Sequence, residues 1–505
     1  MAQVQATIKI GTQILEVNTL SLHQAYNRHH TFELVALLPE QKKLTVGSLR
    51  KKLGEPAEIS IRLLKEEGKK YAGPLPESRF VGFVDLVAPV WTRHSRAVRI
   101  LGYSLTLLMD CAPRFRSFYD QPLQAIVSRV ASAYRANPSL AVGMKNAVGK
   151  APYTVQYQET DYAYLCRLAD AYGKVFFYDG EQLHFGEWEN NKSIPVPLEF
   201  PKRIKQVELS ANLAPLQFNL SAYELKPGKV ATHSCQDNLC SQNELVATAI
   251  ARSGCYPSSS VFLTHLADEP QLEAIAKRMR ARQAHGLVSL QATSNHLGLK
   301  VGMKIRVAGN EELYSKGAYV ITEISHSVSN DRSYANTFTA VPAGLPFPVR
   351  MVQSRSPVCG PLMAVVKETN DPDCLGRVRV QFIGDEEQSV SPWLRVLVPY
   401  TKYGGMFFKP EAGDQVVVFH EDFNVEKEPF VMGSFYHGKA TARQWQDPDN
   451  KLKGIATEKI SFVFNDRNGK LSISAEEIEI TARKKMNIDG GQHLTEKAGR
   501  IDLNP

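Results

Sequence analysis

Four residues near the middle of the sequence, His233, Cys235, Cys240 and Cys255, carry side chains that can bind zinc. The C-x4-C spacing of Cys235 and Cys240, with one further cysteine and a nearby histidine, matches the spacing of zinc sites only loosely. Loop and core thiols that never meet are the simpler interpretation, because a free cysteine often packs as a small apolar residue. We therefore expect no metal site and no cofactor.

Neighbouring carboxylates are the second kind of residue that could do chemistry. Glu159 with Asp161, and Glu421 with Asp422, could act as an acid and a base, but nothing nearby in the sequence indicates a pocket that would shift either pKa. The H-E-x-x-H, G-x-S-x-G, P-loop and G-x-G-x-x-G motifs do not occur. We expect these carboxylates to be solvated loop charges and the protein not to be an enzyme; a hydrolase with a dispersed site stays open.

Arginines alternate with apolar residues in "NDPDCLGRVRVQF" (370–382). Val378, Val380 and Phe382 form one face of a half-buried strand, and Arg377 and Arg379 form the other. A nucleic-acid-binding face would combine cations with stacking aromatic rings. The aromatic residues near these cations are few and are not interleaved with them. We expect both arginines to face solvent or a neighbouring subunit and to bind no nucleic acid; a nucleic-acid-binding barrel is the alternative.

The overall composition is that of a globular protein with about three domains. The chain has 505 residues, a net charge of +8 and seven scattered cysteines, a pattern that suits free thiols in a reducing compartment. Neither a signal peptide nor an apolar run of the roughly 18 residues of a membrane span is apparent. We expect assembly in the cytoplasm and export by a route that needs no signal peptide.

The elements that must position these residues are mostly strands. Short apolar or alternating runs separated by turn residues predict a β-barrel over about residues 1–110 and a similar one over about 200–345. Between them, residues 111–199 predict a helical and hairpin insert. In "YQETDYAYLCRLADAYGKVFFYDGEQLHFG", Thr160 can cap a helix that Gly173 ends, and a hairpin follows.

Beyond a Pro- and Gly-rich linker (342–350), five short strands within residues 346–445 suit a small Greek-key barrel of the OB type. The tail, residues 455–505, carries short strands ("KISFVFN", "KLSIS", "EIEIT", "MNID") with apolar residues on one face. Two or three such strands are marginally stable alone, and eight exposed apolar side chains forfeit on the order of 10 kcal/mol. We therefore predict that identical chains share this core, made by Phe462, Phe464, Leu471, Ile473, Ile478, Ile480, Met486 and Ile488.

The ordered set of these segments resembles the VgrG family, the trimeric spike proteins of type VI secretion systems, and through it the hub and central spike of contractile phage tails. The landmarks are "SRFVGFV", the 157–178 helix and hairpin, "GAYVITEISHSVSNDRSYANTFTAVP", and the block from "DPDCLGRVRVQF" to "PFVMGSFYHG". Before the last barrel strand, "HEDFNVEKEPFVMGS" keeps only Pro429 and Gly433 of the family pattern. The Val-Gly iteration of the family is absent from the tail.

The resemblance implies a mainly β protein with two hub-like barrels, an OB-type barrel and a short intertwined trimeric β-prism. It implies a non-enzymatic homotrimer that sits on a hexameric tube, contacts baseplate proteins, carries effectors and crosses a target membrane on sheath contraction. A conical PAAR-type protein would cap the C-terminal end of the prism. A spike of a related extracellular contractile injection system is an alternative reading of the same resemblance.

Overall fold

The computed structural model describes residues 2–38, 46–64, 76–91, 96–134, 136–145, 149–187, 194–224, 227–235, 244–263, 269–309, 317–343, 358–425 and 427–501. Most of the predicted linker lies outside these residues. The chain forms two compact units, Met1–Phe435 and Tyr436–Pro505. As expected from the sequence, strands predominate. Among the described residues, no helix is both long and apolar enough to cross a bilayer.

A closed antiparallel barrel forms the first part of the larger unit. Its strand order is β1-β2-β3-β6-β5-β4 and back to β1. Every second residue of the first strand is apolar, and Val4, Ala6, Ile8 and Ile10 all point into the barrel core. The bounds are β1 Ala2–Ile10, β2 Gln13–Ala25, β3 Thr31–Leu37, α1 Val46–Arg50, β4 Pro56–Leu63, β5 Glu77–Trp91 and β6 Arg96–Ser104.

The predicted insert follows as a mixed segment. Thr160 caps its second helix, since the side-chain oxygen accepts the Ala163 N–H at 3.2 Å, and Gly173 ends that helix region at φ +61°. The preceding helix has Pro122 at its N-cap position. The elements are β7 Pro113–Pro122, α2 Leu123–Ala131, β8 Val142–Lys145, β9 Lys150–Thr160, α3 Asp161–Ala171, β10 Val175–Tyr178 and β11 Leu183–Gly186.

A second six-stranded sheet follows, with the order β12-β18-β19-β20-β17-β13. It joins the first barrel through the β1–β20 and β2–β19 pairs. Within it, α5 packs on a three-stranded sheet, β15-β14-β16. The bounds are β12 Val196–Glu199, β13 Ile204–Ala211, β14 Phe218–Glu224, β15 Lys229–Cys235, α4 Glu244–Arg252, β16 Ser259–Leu263, α5 Glu269–Ala284, β17 Val288–Ser294, β18 Lys304–Ala308, β19 Tyr319–Val328 and β20 Ser333–Pro342.

The two halves of this body, residues 2–343, thus differ in closure. The described pairings complete a ring in the first half and leave an open order between β12 and β13 in the second. That the two halves are equivalent barrels stays a prediction, as do the predicted domain boundaries. The sequence did not predict α4.

A small barrel completes the larger unit, with the strand order β22-β21-β24-β25-β23. Val378, Val380 and Phe382 point into its core, as their alternation predicts. An isolated bridge between Val378 and Leu394 connects the two ends of the sheet. The strands are β21 Leu362–Glu368, β22 Arg379–Phe382, β23 Arg395–Val396, β24 Gln415–His420 and β25 Pro429–Ser434.

The smaller unit, called the tail below (residues 436–501 of those described), holds one antiparallel three-stranded sheet, β26 Leu452–Ala456, β27 Ser461–Asn465 and β28 Lys470–Ser474. The predicted strands "EIEIT" and "MNID" do not form: residues 475–501 contain no strand. Strand pairing needs a neighbouring edge, and in the single chain these segments pair with none.

Candidate functional site: the body–barrel junction and the tail

The body and the small barrel share one apolar core through β7 and β9. Val155 of β9 is buried in the same cluster as Val380 and Phe382 of the barrel. The ring of Phe115, on β7, lies 6.1 Å from that of Phe382 and 5.4 Å from that of Tyr157. Separating the barrel from the body would therefore expose apolar surface on both sides.

A carboxylate of the barrel fixes the position of β7. Asp385 accepts hydrogen bonds from the Ser117 backbone N–H at 2.9 Å and from the Ser117 hydroxyl at 2.6 Å. The Glu386 N–H donates to the Phe115 carbonyl oxygen at 3.0 Å. Asp385 is 5% exposed, so these bonds form in a region that excludes most water. Bonds to a buried carboxylate are stronger than bonds between neutral groups.

Arg116 connects the body to the barrel through a buried polar network. Its guanidinium donates to Asp161 at 2.8 Å within the body and to Glu386 of the barrel at 3.2 Å. Asp161 also accepts from Gln156 at 2.8 Å and from the Tyr134 hydroxyl at 2.9 Å. Burial and the negative charge of Asp161 raise the pKa of Tyr134 well above its usual value. The network orients both faces of the junction.

Glu159 and Asp161 are not the solvated loop charges that the sequence analysis expected. They are 7% and 1% exposed, and each binds a buried arginine. Arg167 donates two hydrogen bonds to the Glu159 carboxylate, at 2.8 and 2.7 Å, and a third to the Val155 carbonyl oxygen. The sequence could not show this pairing because it depends on the fold of β7, β9 and α3 around one another.

Arg377 and Arg379 have partners within the chain, and neither faces open solvent. The Arg377 side chain, 11% exposed, forms two bonds to Asp371, at 2.9 and 2.7 Å, and one to Asp373 at 2.7 Å. The hydrogen bond from Arg377 is the main reason that the pKa of Asp371 lies far below its usual value. The first alternative of the prediction, that the two arginines face solvent, is wrong, since the turn before β22 folds its aspartates back onto Arg377. The second alternative, that they face a neighbouring subunit, stays a prediction.

Arg379 belongs to the junction. It donates to Glu368 and to the Ser391 carbonyl oxygen, each at 2.8 Å, and its guanidinium lies 5.0 Å from the ring centre of Tyr119 on β7. Both guanidinium groups are therefore engaged within the chain rather than arranged along an open face for phosphates. This arrangement favours a structural role over the nucleic-acid alternative.

The zinc-binding candidates of the sequence analysis are not brought together where the structure describes them. Cys235 is buried against the Ala276 carbonyl oxygen of α5, whereas Cys255 is exposed. Cys240 lies outside the described residues. Within the described ranges, no group of three or more His, Cys, Asp or Glu side chains is placed to hold a metal ion.

The tail exposes its apolar residues. No described residue of the tail is buried. Phe464 is opposite Leu471, and Phe462 is opposite Ile473, so β27 and β28 carry their apolar residues in register. Seven of the eight predicted core residues are exposed by 44–68%, and Phe462 is half-buried. Natural monomers rarely expose apolar patches of this extent.

The body is bound to the small barrel through a buried junction, and the described residues of the tail form no core. This arrangement is that of a hub-and-spike type of component. The family model of the phage tail baseplate hub (GPD) matches residues 23–332, and that of the type VI secretion system/phage-baseplate injector OB domain matches residues 362–436. The chain belongs to the phage tail baseplate hub (GPD) family. The small barrel is called the OB domain below.

A curated relative and solved structures agree with this assignment. The chain is 25% identical over 423 residues to the type VI secretion system spike protein VgrG5 of Pseudomonas aeruginosa, which covers 71% of this chain. The chain spans 50% of the length of that relative. The predicted resemblance to VgrG-type spike proteins is confirmed.

Two solved structures have a similar fold at low sequence identity. The E. coli c3393 protein, a component of the type VI secretion system, is 15% identical, with a TM-score of 0.55 over 85% of this chain and 99% of that chain. A chain of the half-lidded Francisella PdpA–VgrG complex is 9% identical, with a TM-score of 0.57 over 94% of this chain and 88% of that chain.

The sequence analysis missed the junction residues Arg116, Ser117 and Asp385. The sequence holds one signal: in "FRSF" (115–118) an arginine and a serine interrupt apolar residues, in a segment that the structure shows to be β7. Polar residues on an otherwise apolar strand indicate that a second element covers it and satisfies them.

Proposed function

We propose that this chain is the homotrimeric hub and spike of a type VI secretion machine, with a mechanical and non-enzymatic role. The observation that carries the proposal is the tail, whose apolar residues alternate along short strands and are exposed in the single chain. Three copies wound around a common axis would give these residues a shared core, a trimeric β-prism, and cover the strand edges.

The same arrangement gives each region a task. The body, with its strand-rich halves, would mount on the hexameric tube and contact baseplate proteins. The junction would transmit the thrust, because Arg116 and Asp385 fix the OB domain to the body through buried bonds. The tail would lead through the target membrane, and effectors would travel with it.

The C-terminal end of the tail is the proposed seat of a PAAR-type tip protein. Leu494 and Ile501, near that end, are more than half exposed, and an apolar prism end with unpaired strands invites a cap. Residues 502–505 lie outside the described residues. We infer assembly in the cytoplasm and secretion through the machine itself. A spike of a related extracellular contractile injection system would use the same architecture.

The mass of the full chain in solution tests the trimer. Light scattering should give three times the 56.3 kDa of one chain at micromolar concentration. Substitution of tail residues should shift that mass, whereas matched substitutions in the body should not. A monomer at all concentrations would contradict the proposed function.

A further inference from the structure

The mouth of the first barrel contains a cavity of about 430 Å³, counted out into its open side. Protein interiors hold few voids larger than a water molecule, so a space of this size needs an explanation. One side of it, called the apolar wall, is formed by four side chains of the barrel core that are each at most 3% exposed: Leu22, Ile59, Ile61 and Phe80. Small-molecule sites often lie in the mouths of β-barrels.

Two segments from outside the barrel cover this cavity. The loop between β17 and β18 is attached to β5, since the Gly298 N–H donates to the Ser78 hydroxyl at 2.9 Å. Lys300 of the same loop donates to Asp179 at 2.9 Å and to Glu181 at 3.4 Å, both in the turn between β10 and β11. The cavity therefore lies where the first barrel, the insert and the second sheet meet, and specific bonds hold its cover in place.

The amide of Gln24 is a buried donor at the edge of the cavity. Gln24 is 2% exposed and lines the cavity, and its carbonyl oxygen accepts from Nε2 of His326 at 3.2 Å. Nδ1 of that ring then accepts from the Tyr334 hydroxyl at 2.7 Å. Burial lowers the pKa of His326 to about 4, so the ring is neutral at pH 7, as these two bonds require. The bonds fix the Gln24 amide, and its NH2 group donates to none of the residues that the structure describes.

The charges around the cavity cancel one another. Its lining includes two cations, Arg79 and Lys300, and two carboxylates, Glu77 and Glu181. Arg79 already donates to Glu58 at 3.0 Å, and Lys300 is bound in the cover. A charged ligand would lose its hydration beside the apolar wall without gaining an uncompensated opposite charge at the described rim. The lining therefore favours a neutral ligand.

The available room, the apolar wall and the Gln24 donor together define the ligand. An apolar cavity of about 150 Å³ holds benzene, so this cavity has room for a molecule of about eight non-hydrogen atoms. We propose that the mouth of the first barrel binds a small neutral amphiphile, whose apolar part packs on the apolar wall and whose oxygen accepts from the Gln24 amide. Such a ligand stabilises the folded body because it binds only the assembled cavity. The site does not depend on the proposed trimer.

An NMR titration of the full chain, labelled at its isoleucine methyl groups, tests the inference with hexanamide as the probe. Hexanamide has an apolar tail and a neutral head whose oxygen accepts hydrogen bonds. The methyl signals of Ile59 and Ile61 should shift and saturate, with half-saturation on the order of 1 mM, while the signal of the exposed Ile14 stays in place. Hexanoate and hexylammonium carry the same tail with a charged head and should bind at least about tenfold more weakly.

A substitution at Gln24 tests the contact with the head of the probe. Gln24→Met keeps the length of the side chain and removes the donor, so the dissociation constant of hexanamide should rise about tenfold. Toluene, which has no oxygen, should bind this variant as well as it binds the wild-type chain, which separates the lost hydrogen bond from a general loss of structure. Gln206→Met, at an exposed glutamine of β13, is the matched control and should leave both affinities unchanged.

Each result decides the inference without deciding the trimer. No saturable shift at Ile59 and Ile61, or equal binding of hexanamide and hexanoate, would overturn it. Equal affinity of the wild-type chain and Gln24→Met for hexanamide would show that the amide does not hold the ligand and would overturn it as well. Should Gln24→Met unfold the body, as judged by its thermal midpoint, Ile61→Phe fills the cavity from the apolar wall and should abolish the shift at Ile59. A shift that persists in that variant would contradict the proposed site.

Discussion

The body and the tail differ in where they place their apolar residues. Each exposes twelve large apolar side chains among its described residues, although the body, residues 2–343, is several times longer. The body also has two large buried clusters, whereas no described tail residue is buried. The body has the apolar core of a chain that folds alone. The described residues of the tail lack such a core, and in the proposed trimer other copies would supply it.

The OB domain combines features of both regions. It has its own core, with Val380, Val416 and Val418 fully buried, and it also exposes large apolar side chains such as Tyr403 and Phe407. If the copies associate as proposed, the OB domain would contribute to packing both within one chain and between chains. The difference between body and tail can therefore be tested by substitutions that affect one kind of packing and leave the other intact.

Charges in the tail should have the largest effect. Ile473→Asp together with Ile480→Asp would place two charges in the shared core, and burying an unpaired charge is prohibitive. We expect the full chain to become monomeric, with the dissociation concentration raised more than a thousandfold, as measured by light scattering on dilution. The body should keep its thermal midpoint.

The matched control for this prediction is Ile14→Asp with Leu53→Asp, at body residues that are 61% and 50% exposed. Exposed substitutions of this kind usually change the free energy of unfolding by about 0.5 kcal/mol or less, so the control should stay trimeric. A tail variant that remained as tightly trimeric as the control would show that the tail does not hold the copies together.

Breaking the junction should have the next largest effect. Arg116→Ala leaves Asp161 buried without its guanidinium partner, and losing one member of a buried ion pair costs about 3–5 kcal/mol. Urea unfolding of the full chain should report that loss. The control is the exposed ion pair of Arg99 and Glu33, whose nitrogen and oxygen atoms are 2.6 Å apart. Arg99→Ala should lower the free energy of unfolding by about 0–1 kcal/mol. Equal costs for the two variants would mean that the buried network does not stabilise the junction.

Acidification should destabilise the body through its buried histidines. An unfolded histidine has a pKa near 6.5, whereas burial lowers the pKa of His30 to about 3. Between these values the unfolded chain binds a proton that the folded chain does not, so stability falls as the pH drops. From pH 7 to pH 5 this single residue should cost about 2 kcal/mol.

Between pH 7 and pH 5, the free energy of unfolding of a His30→Leu variant should fall by about 2 kcal/mol less than that of the wild-type chain. Urea unfolding at both pH values is the measurement. The exposed His493 of the tail offers a control, because His493→Leu should leave the pH dependence of the body unchanged. An unchanged slope in the His30 variant would mean that the ring is not held neutral by its burial.

The smallest effect concerns the helix cap of α3. Thr160→Ala removes the acceptor for the Ala163 N–H and should lower the free energy of unfolding by about 1 kcal/mol, while Thr160→Ser should keep most of it. Thermal unfolding of the three chains is the measurement. If the serine variant lost as much as the alanine variant, the hydroxyl would not be the reason that Thr160 stabilises the helix.

Local patterns in the sequence predicted the elements better than the contacts between them. The cap at Thr160, the stop at Gly173 and the inward face of β22 all depend on neighbouring residues, and the structure shows each of them. The partner of Arg116 in the barrel depends on long-range packing. The partners of Glu159 and Arg377 are near in sequence, but they depend on how the chain folds back after β9 and before β22, which alternation does not reveal. Exposure was therefore mispredicted at Glu159 and Asp161, and so was the solvent-facing alternative for both barrel arginines.

The tail also shows that local sequence patterns do not predict contacts between elements. Alternation correctly placed Leu471 and Ile473 on one face of a strand. It also predicted strands at "EIEIT" and "MNID", which the single chain does not form. A pattern of side chains specifies which face needs to be buried, but a strand needs a hydrogen-bonding edge as well. In the proposed trimer that edge belongs to another copy.

Hydrogen exchange of the tail amides tests the central claim most directly. If three copies build the tail, amides between residues 471 and 490 should exchange at least a hundredfold slower than their intrinsic rates at concentrations where the chain is trimeric. They should approach intrinsic rates in the full chain with Ile473→Asp and Ile480→Asp, while the amides of β1–β6 stay protected in both. Tail amides that exchange at intrinsic rates in a species of trimeric mass would contradict the account, because the copies would then be held together elsewhere.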